Sequence, residues 1–148
     1  MDQLKALPLG RQLILGAGVL LLLDTFLDWQ HVDGVNINGV TVGGGGLNAW
    51  HGFWGVVMCL ALVVLLAWTA ARAFDVALPA QVPDGLTTLG LSVLIPVFAL
   101  LKAITDDAVH WPAWIGVLLG AVIAYGGWQV FSASGEKLPS MPARDTTA

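Results

Sequence analysis

The sequence predicts an all-α membrane fold: four transmembrane helices in a bundle, with an extracytoplasmic β-hairpin in the first outer loop. Three observations lead there. Hydrophobic residues make up 57% of the 148 and charged residues only 11%, where soluble domains carry about 25% charged; mean hydropathy is +0.79. Four apolar runs each approach the roughly 20 residues that cross a bilayer. The only long polar segment, residues 28–49, lies between the first two runs and contains Asn38-Gly39 between alternating side chains.

The first run, residues 9–27, reads as an uncleaved span, because Asp24, Asp28 and Trp29 stand where a signal peptide would carry small residues. In the loop, Val35-Asn36-Ile37 and Val40-Thr41-Val42 flank Asn38-Gly39. A type I′ turn needs positive φ at both central positions, and Asn-Gly supplies it. The register then pairs Ile37 with Val40 and Val35 with Val42 on one face, with Asn36 and Thr41 on the other. An isolated hairpin is marginal in water, so its apolar face is expected to lie on the end of the bundle. Gly43–Gly46 is expected to be a slack connection.

The second span covers residues 50–73, with Asn48 as its expected N-cap. Pro79 and Pro83 mark the next loop, and Asp84 is expected to cap the third span, residues 85–104. Pro96 predicts a kink there. Residues 105–111 form a short acidic connection, and Pro112 suits the first turn of the fourth span, residues 112–131. Residues 1–131 are thus one transmembrane domain. Residues 132–148, rich in Ser, Pro, Thr and charge, read as a disordered cytoplasmic tail.

Orientation follows from the basic residues. Lys5, Arg11, Arg72, Lys137 and Arg144 fall on one side of a four-span chain, which places both termini in the cytoplasm. The opposite loops hold Asp28, Asp33, Asp106 and Asp107. Trp29, Trp50, Trp54, Trp111 and Trp114 cluster at the outer boundary, and Trp68 and Trp128 near the inner one, as interfacial indoles do. Gly116, Gly120 and Ala124 recur every four residues and read as a helix-packing seam.

Three stretches resemble a known group. Phe26-Leu-Asp-Trp-Gln30, Ala49-Trp-His-Gly-Phe-Trp-Gly55 and Lys102-Ala-Ile-Thr-Asp106, followed by Trp114-Ile-Gly116, are similar to uncharacterised four-span integral membrane proteins of actinobacteria. The resemblance covers most of the chain outside the tail. It implies the same topology and a bacterial plasma membrane, and no activity. A looser architectural likeness is to claudin-type bundles, although their paired cysteines are missing and Gly52-Phe53-Trp54 runs straight into a helix.

Chemistry-bearing residues are few. Cys59 stands alone, which excludes disulfide-exchange catalysis by a cysteine pair. No phosphate-binding glycine motif, nucleophile–base arrangement or nucleic-acid patch is present, so neither an enzyme nor a cofactor is expected. His31, His51 and His110 all fall on the outer side, but their spacing matches no metal or haem motif, and no metal is expected there. Asp24 and Lys102 are the ionisable residues inside spans, each about 6 Å inside its boundary, and are expected to pair across the bundle.

The leading expectation is a non-enzymatic interaction or accessory subunit that acts through its outer face. That outer cap comprises Trp29, His31, Val35, Ile37, Asn38, Gly39, Val40, Val42, Trp50, His51 and Trp54. The expected partners are the lipid bilayer and either another membrane protein or a second copy of the chain. A small transporter or ion-linked carrier using Asp24 and Lys102 is the alternative, and an outer-face metal-binding protein the weaker one.

Overall fold

The computed structural model describes residues 6–77 and 82–136. Pro79, Lys5, Lys137 and Arg144, and residues 137–148 of the expected tail, lie outside the described residues. Among the described residues four helices carry the fold: α1 (Leu9–Asp24), α2 (Phe53–Ala73), α3 (Asp84–Thr105) and α4 (Trp111–Ser134). Between α1 and α2 come four short strands, β1 (Gln30–Val32), β2 (Val35–Ile37), β3 (Val40–Val42) and β4 (Gly45–Leu47).

Each helix packs on its chain neighbours, and α4 closes the ring on α1. All four interfaces are antiparallel. Gly10 of α1 meets Gly126 of α4, Gly18 meets Leu66 of α2, Trp54 stacks on Phe98 of α3, and Gly120 lies on Pro96. The core at mid-height is apolar: Leu21, Met58, Leu62, Ile95, Ala99 and Ile123 are fully buried. Leucines and valines on the outside of every helix are exposed, among them Leu20, Leu60, Val64, Val97 and Leu118. Apolar outside as well as inside is the pattern of helices surrounded by lipid. Among the described residues three helices, α2, α3 and α4, are long and apolar enough to cross a membrane. At 16 residues, α1 extends about 24 Å.

Two helix boundaries differ from expectation because hydropathy does not see caps. The first helix stops at Asp24 rather than Leu27; residues 25–27 continue as a turn, with Phe26 N–H donating to Leu23 O and Leu27 N–H to Asp24 O. The second starts at Phe53 rather than Trp50, after Gly52 at φ +81. Asn48 therefore caps no helix. Its Oδ1 accepts from Trp50 N–H and lies 3.1 Å from His51 Nδ1, which makes a local turn.

Pro112 sits in the first turn of α4 as expected. Pro96 lies inside an unbroken α3, and Gly120 gives it room: a Cβ at Gly120 would come within 3.0 Å of Pro96 Cα. Residues 132–134, expected in the tail, instead belong to α4, which runs to Ser134 and closes on Gly135 at φ +75.

The hairpin forms in the expected register, Val35 with Val42 and Ile37 with Val40. Asn38 and Gly39 have φ of 53° and 82°, and Asn36 Oδ1 accepts from Gly39 N–H at 3.0 Å. Two expectations fail around it. The tetraglycine is not slack: Gly45 and Gly46 belong to β4, which pairs antiparallel with β1. At Gly46 the Asp28 carboxylate lies where a Cβ would be, so a side chain there would have to displace it. Nor does the apolar face rest on the bundle. Val35, Ile37, Val40 and Val42 are each more than half exposed. The second strand pair lengthens the ribbon, so its tip stands clear of the helices.

Candidate functional site

The antiparallel ring gathers polar side chains at its two ends, which gives two candidate sites. At the cap end, Trp29 is the keystone. It is 1% exposed, not interfacial as expected, and its Nε1–H donates to Asp24 O at 3.0 Å and Asp24 Oδ2 at 3.1 Å. The ring fits only because Gly116 lacks a Cβ; one built there would overlap the indole. Backbone bonds clamp Trp29 on both sides: its N–H donates to Leu47 O, and its carbonyl accepts from His110 N–H at 2.7 Å. Next to it, His31 N–H donates to Ala108 O and Gln30 Nε2 to Asp107 O. The strand β1 is thus stitched to the α3–α4 connection, and residues 28–49 are anchored at both edges.

Trp50 and Trp54 brace the same end. Trp50 Nε1 donates to Thr25 Oγ1 at 3.1 Å, and the Trp54 ring stacks on Phe98 at 5.6 Å. The Asn38-Gly39 turn, with Val35, Ile37, Val40 and Val42, stands farther out and touches none of these.

The expected Asp24–Lys102 pair is absent among the described residues. Lys102 is 2% exposed; its Nζ donates to Asp106 Oδ2 at 2.5 Å and to His51 O at 2.7 Å. The physical reason is angular position. Matched depth does not make α1 and α3 neighbours: they sit on the diagonal of the ring, while Asp106 is one turn along, at the C-cap of α3 itself. Asp24 is held by Trp29 instead.

His31 and His110 do meet, with ring centroids 5.4 Å apart. His31 also lies 3.6 Å from Asp28 and 3.4 Å from Asp33. His51 is elsewhere, on Asn48. Among the described residues, no group of three or more His, Cys, Asp or Glu side chains is arranged to hold a metal ion.

The expected seam on α4 divides between partners. Gly116 faces Trp29, Gly120 faces Pro96, and Ala124 is only half-buried. The close approaches that four-residue spacing missed are Gly126 against Gly10 of α1 and Gly127 against Ser92 of α3. Adjacent glycines serve two neighbours at once because α4 is wedged between α1 and α3.

The opposite end holds a cluster that sequence reasoning missed. Asp84, the first residue of α3, caps no backbone group of its own helix. Its Oδ2 takes Arg11 Nη2 of α1, its Oδ1 accepts Trp68 Nε1–H of α2 at 2.8 Å, and Arg72 Nε lies 3.4 Å from Oδ1 as a contact of charge. Arg72 also lies over the Trp68 ring at 5.3 Å. The cap that Asp84 fails to provide comes from beyond α4: Glu136 accepts from Gly85 N–H at 3.2 Å and Leu86 N–H at 2.7 Å. A carboxylate at a helix N-terminus meets free N–H groups and the positive end of the dipole. The only available signals were the lone Asp and Glu flanking apolar runs, far apart in sequence. No protein family model, curated protein or solved structure matches the chain.

Proposed function

We propose that this chain is a non-enzymatic, four-span membrane protein that acts as an accessory subunit, using the β-ribbon to engage another membrane protein outside the bilayer. The observation that carries this reading is the contrast between a ribbon base bonded on both edges and a tip whose four apolar side chains stand uncovered. Apolar side chains clustered on one exposed face mark interaction surfaces, and a base that is already ordered reduces the entropy lost on docking. The acidic rim of Asp28, Asp33, Asp106 and Asp107 disfavours an anionic lipid surface. It fits a partner with an apolar patch bordered by Lys or Arg.

In this reading α1 and its closing turn make the fourth span. Arg11 and Arg72 favour a cytoplasmic Asp84 end, and the motif resemblance favours a bacterial plasma membrane. A carrier is less well supported, since Asp24 and Lys102 lie apart and the mid-height core is apolar.

The test is affinity purification in mild detergent of the native chain and of one with Val35, Ile37, Val40 and Val42 changed to Thr. A stoichiometric membrane-protein partner kept by the first and lost by the second supports the proposal. A partner retained by both refutes the ribbon's role, and self-association alone refutes the accessory role. Topology is tested separately with Thr41→Cys and Asp75→Cys, since the native Cys59 is buried; labelling of position 75 from outside intact cells overturns the orientation.

A further inference from the structure

A groove between α1 and α4 belongs to neither the ribbon nor the Asp84 cluster. Leu20, Leu23 and Leu27 form one wall and Trp111, Ile115 and Leu119 the other, around a volume of about 380 Å³. Asp24 lines the same groove and is only 5% exposed. Trp29 N–H reaches its Oδ2; among the described residues no donor reaches Oδ1, and no Lys, Arg or His lies within ion-pair distance. A largely buried carboxylate set among hydrocarbon is costly to keep ionised unless a cation joins it. The helix sets the length of the site: from Trp111 to Leu119 is about 12 Å along α4. Asp24 and the exposed Trp111 both line the groove, and its remaining lining is apolar.

We infer that this groove binds an amine-headed amphiphile, with its ammonium on Asp24 and its hydrocarbon tail along Leu20, Ile115 and Leu119. A primary ammonium brings three N–H donors, enough to satisfy Oδ1 and strengthen the charge interaction. A trimethylammonium head has the charge but no N–H to donate. The site therefore selects phosphatidylethanolamine over phosphatidylcholine when the source is the bilayer, and takes a long-chain alkylammonium when the source is a free amine. This inference is independent of what the ribbon binds.

The experiment is native mass spectrometry of the detergent-purified full chain with equimolar phosphatidylethanolamine and phosphatidylcholine carrying identical acyl chains. One phosphatidylethanolamine should be retained per chain with a preference of about tenfold, the size expected for hydrogen bonds to a charged group. In Asp24→Asn the preference should fall to near one. Leu119→Trp, which fills the groove and leaves Asp24 in place, should also lose it. Added dodecylammonium, which carries the same primary ammonium, should displace the lipid from the native chain, and retention of the lipid at saturating dodecylammonium would overturn the ammonium site. Equal retention of the two lipids by the native chain overturns the inference without any variant. A preference that persists in a helical, folded Asp24→Asn or Leu119→Trp chain overturns it as well.

Discussion

The two ends of this bundle are closed by different physics. At the cap end a buried indole, a glycine beneath it and a set of backbone hydrogen bonds do the closing, and the Lys102–Asp106 pair is local, between the last turn of α3 and its C-cap. At the other end the closure is ionic and joins all four helices: Arg11 from α1, Trp68 and Arg72 from α2, Asp84 from α3 and Glu136 from beyond α4. Packing and backbone bonds respond little to salt, whereas partly exposed charges are screened within about 8 Å at physiological ionic strength. The end that carries the ribbon is therefore expected to respond less to salt than the end that gathers the helices.

The sharpest way to break this comparison is at the keystone. Trp29→Ala removes a fully buried aromatic ring and leaves Asp24 without its donor. The expected loss is about 3–5 kcal/mol in equilibrium unfolding in bicelles. Trp29→Phe keeps most of the volume and loses the N–H bonds, so it should cost about 1–3 kcal/mol. Equal losses for the two would assign the stability to the hydrogen bonds alone.

Next in size is Asp84→Asn, expected to cost about 1.5–3 kcal/mol, as charge-assisted hydrogen bonds do. Its signature is a change in salt response. The native chain should lose stability between low and high sodium chloride, and the variant should lose much less. A variant with the native salt slope would show that the cluster is not the salt-sensitive closure.

A smaller effect tests the fit beneath the indole. Gly116→Ala places a methyl against the Trp29 ring and should cost about 1–3 kcal/mol through overpacking. Gly90→Ala, where a Cβ meets nothing within 4 Å, should instead be neutral or stabilise by up to about 1 kcal/mol, since Ala is the better helix former. Thermal unfolding of the two in the same detergent gives the comparison. A loss at Gly90 matching that at Gly116 would remove the close approach as the cause.

The smallest global effect is expected at the ribbon tip. Gly39→Val forces a β-branched residue to positive φ. Amide exchange across residues 35–42 should accelerate, while the unfolding midpoint of the bundle stays within the reach of a surface change, about 0.5 kcal/mol. A shifted midpoint would mean that the tip supports the helices after all.

What was legible in the sequence follows the range of each interaction. Hydropathy located α2, α3 and α4, and Asn38-Gly39 gave the hairpin its register, because both are local patterns. Interactions around the ring were hidden. Asp24 and Lys102 have matched depths, yet nothing in the chain states the angle at which each faces, and Lys102 took the partner one turn away. Arg11, Arg72, Asp84 and Glu136 form no motif, and only the order of helices brings them together. The pairing of β1 with β4 was also missed, because glycines have no side-chain alternation to read. Trp29 looked interfacial by its position; the glycine that makes room for it lies 87 positions later, at Gly116.

The cap that Glu136 provides for α3 has a consequence during biosynthesis. Gly85 and Leu86 leave the ribosome about 50 residues before the carboxylate that receives their N–H groups. Until the last helix is made, the start of α3 keeps exposed donors, and the cluster around Asp84 lacks its neighbour from beyond α4. A product that ends before residue 136 presents an unfinished helix terminus beside two arginines. The start of α3 is therefore completed only after α4 has been made.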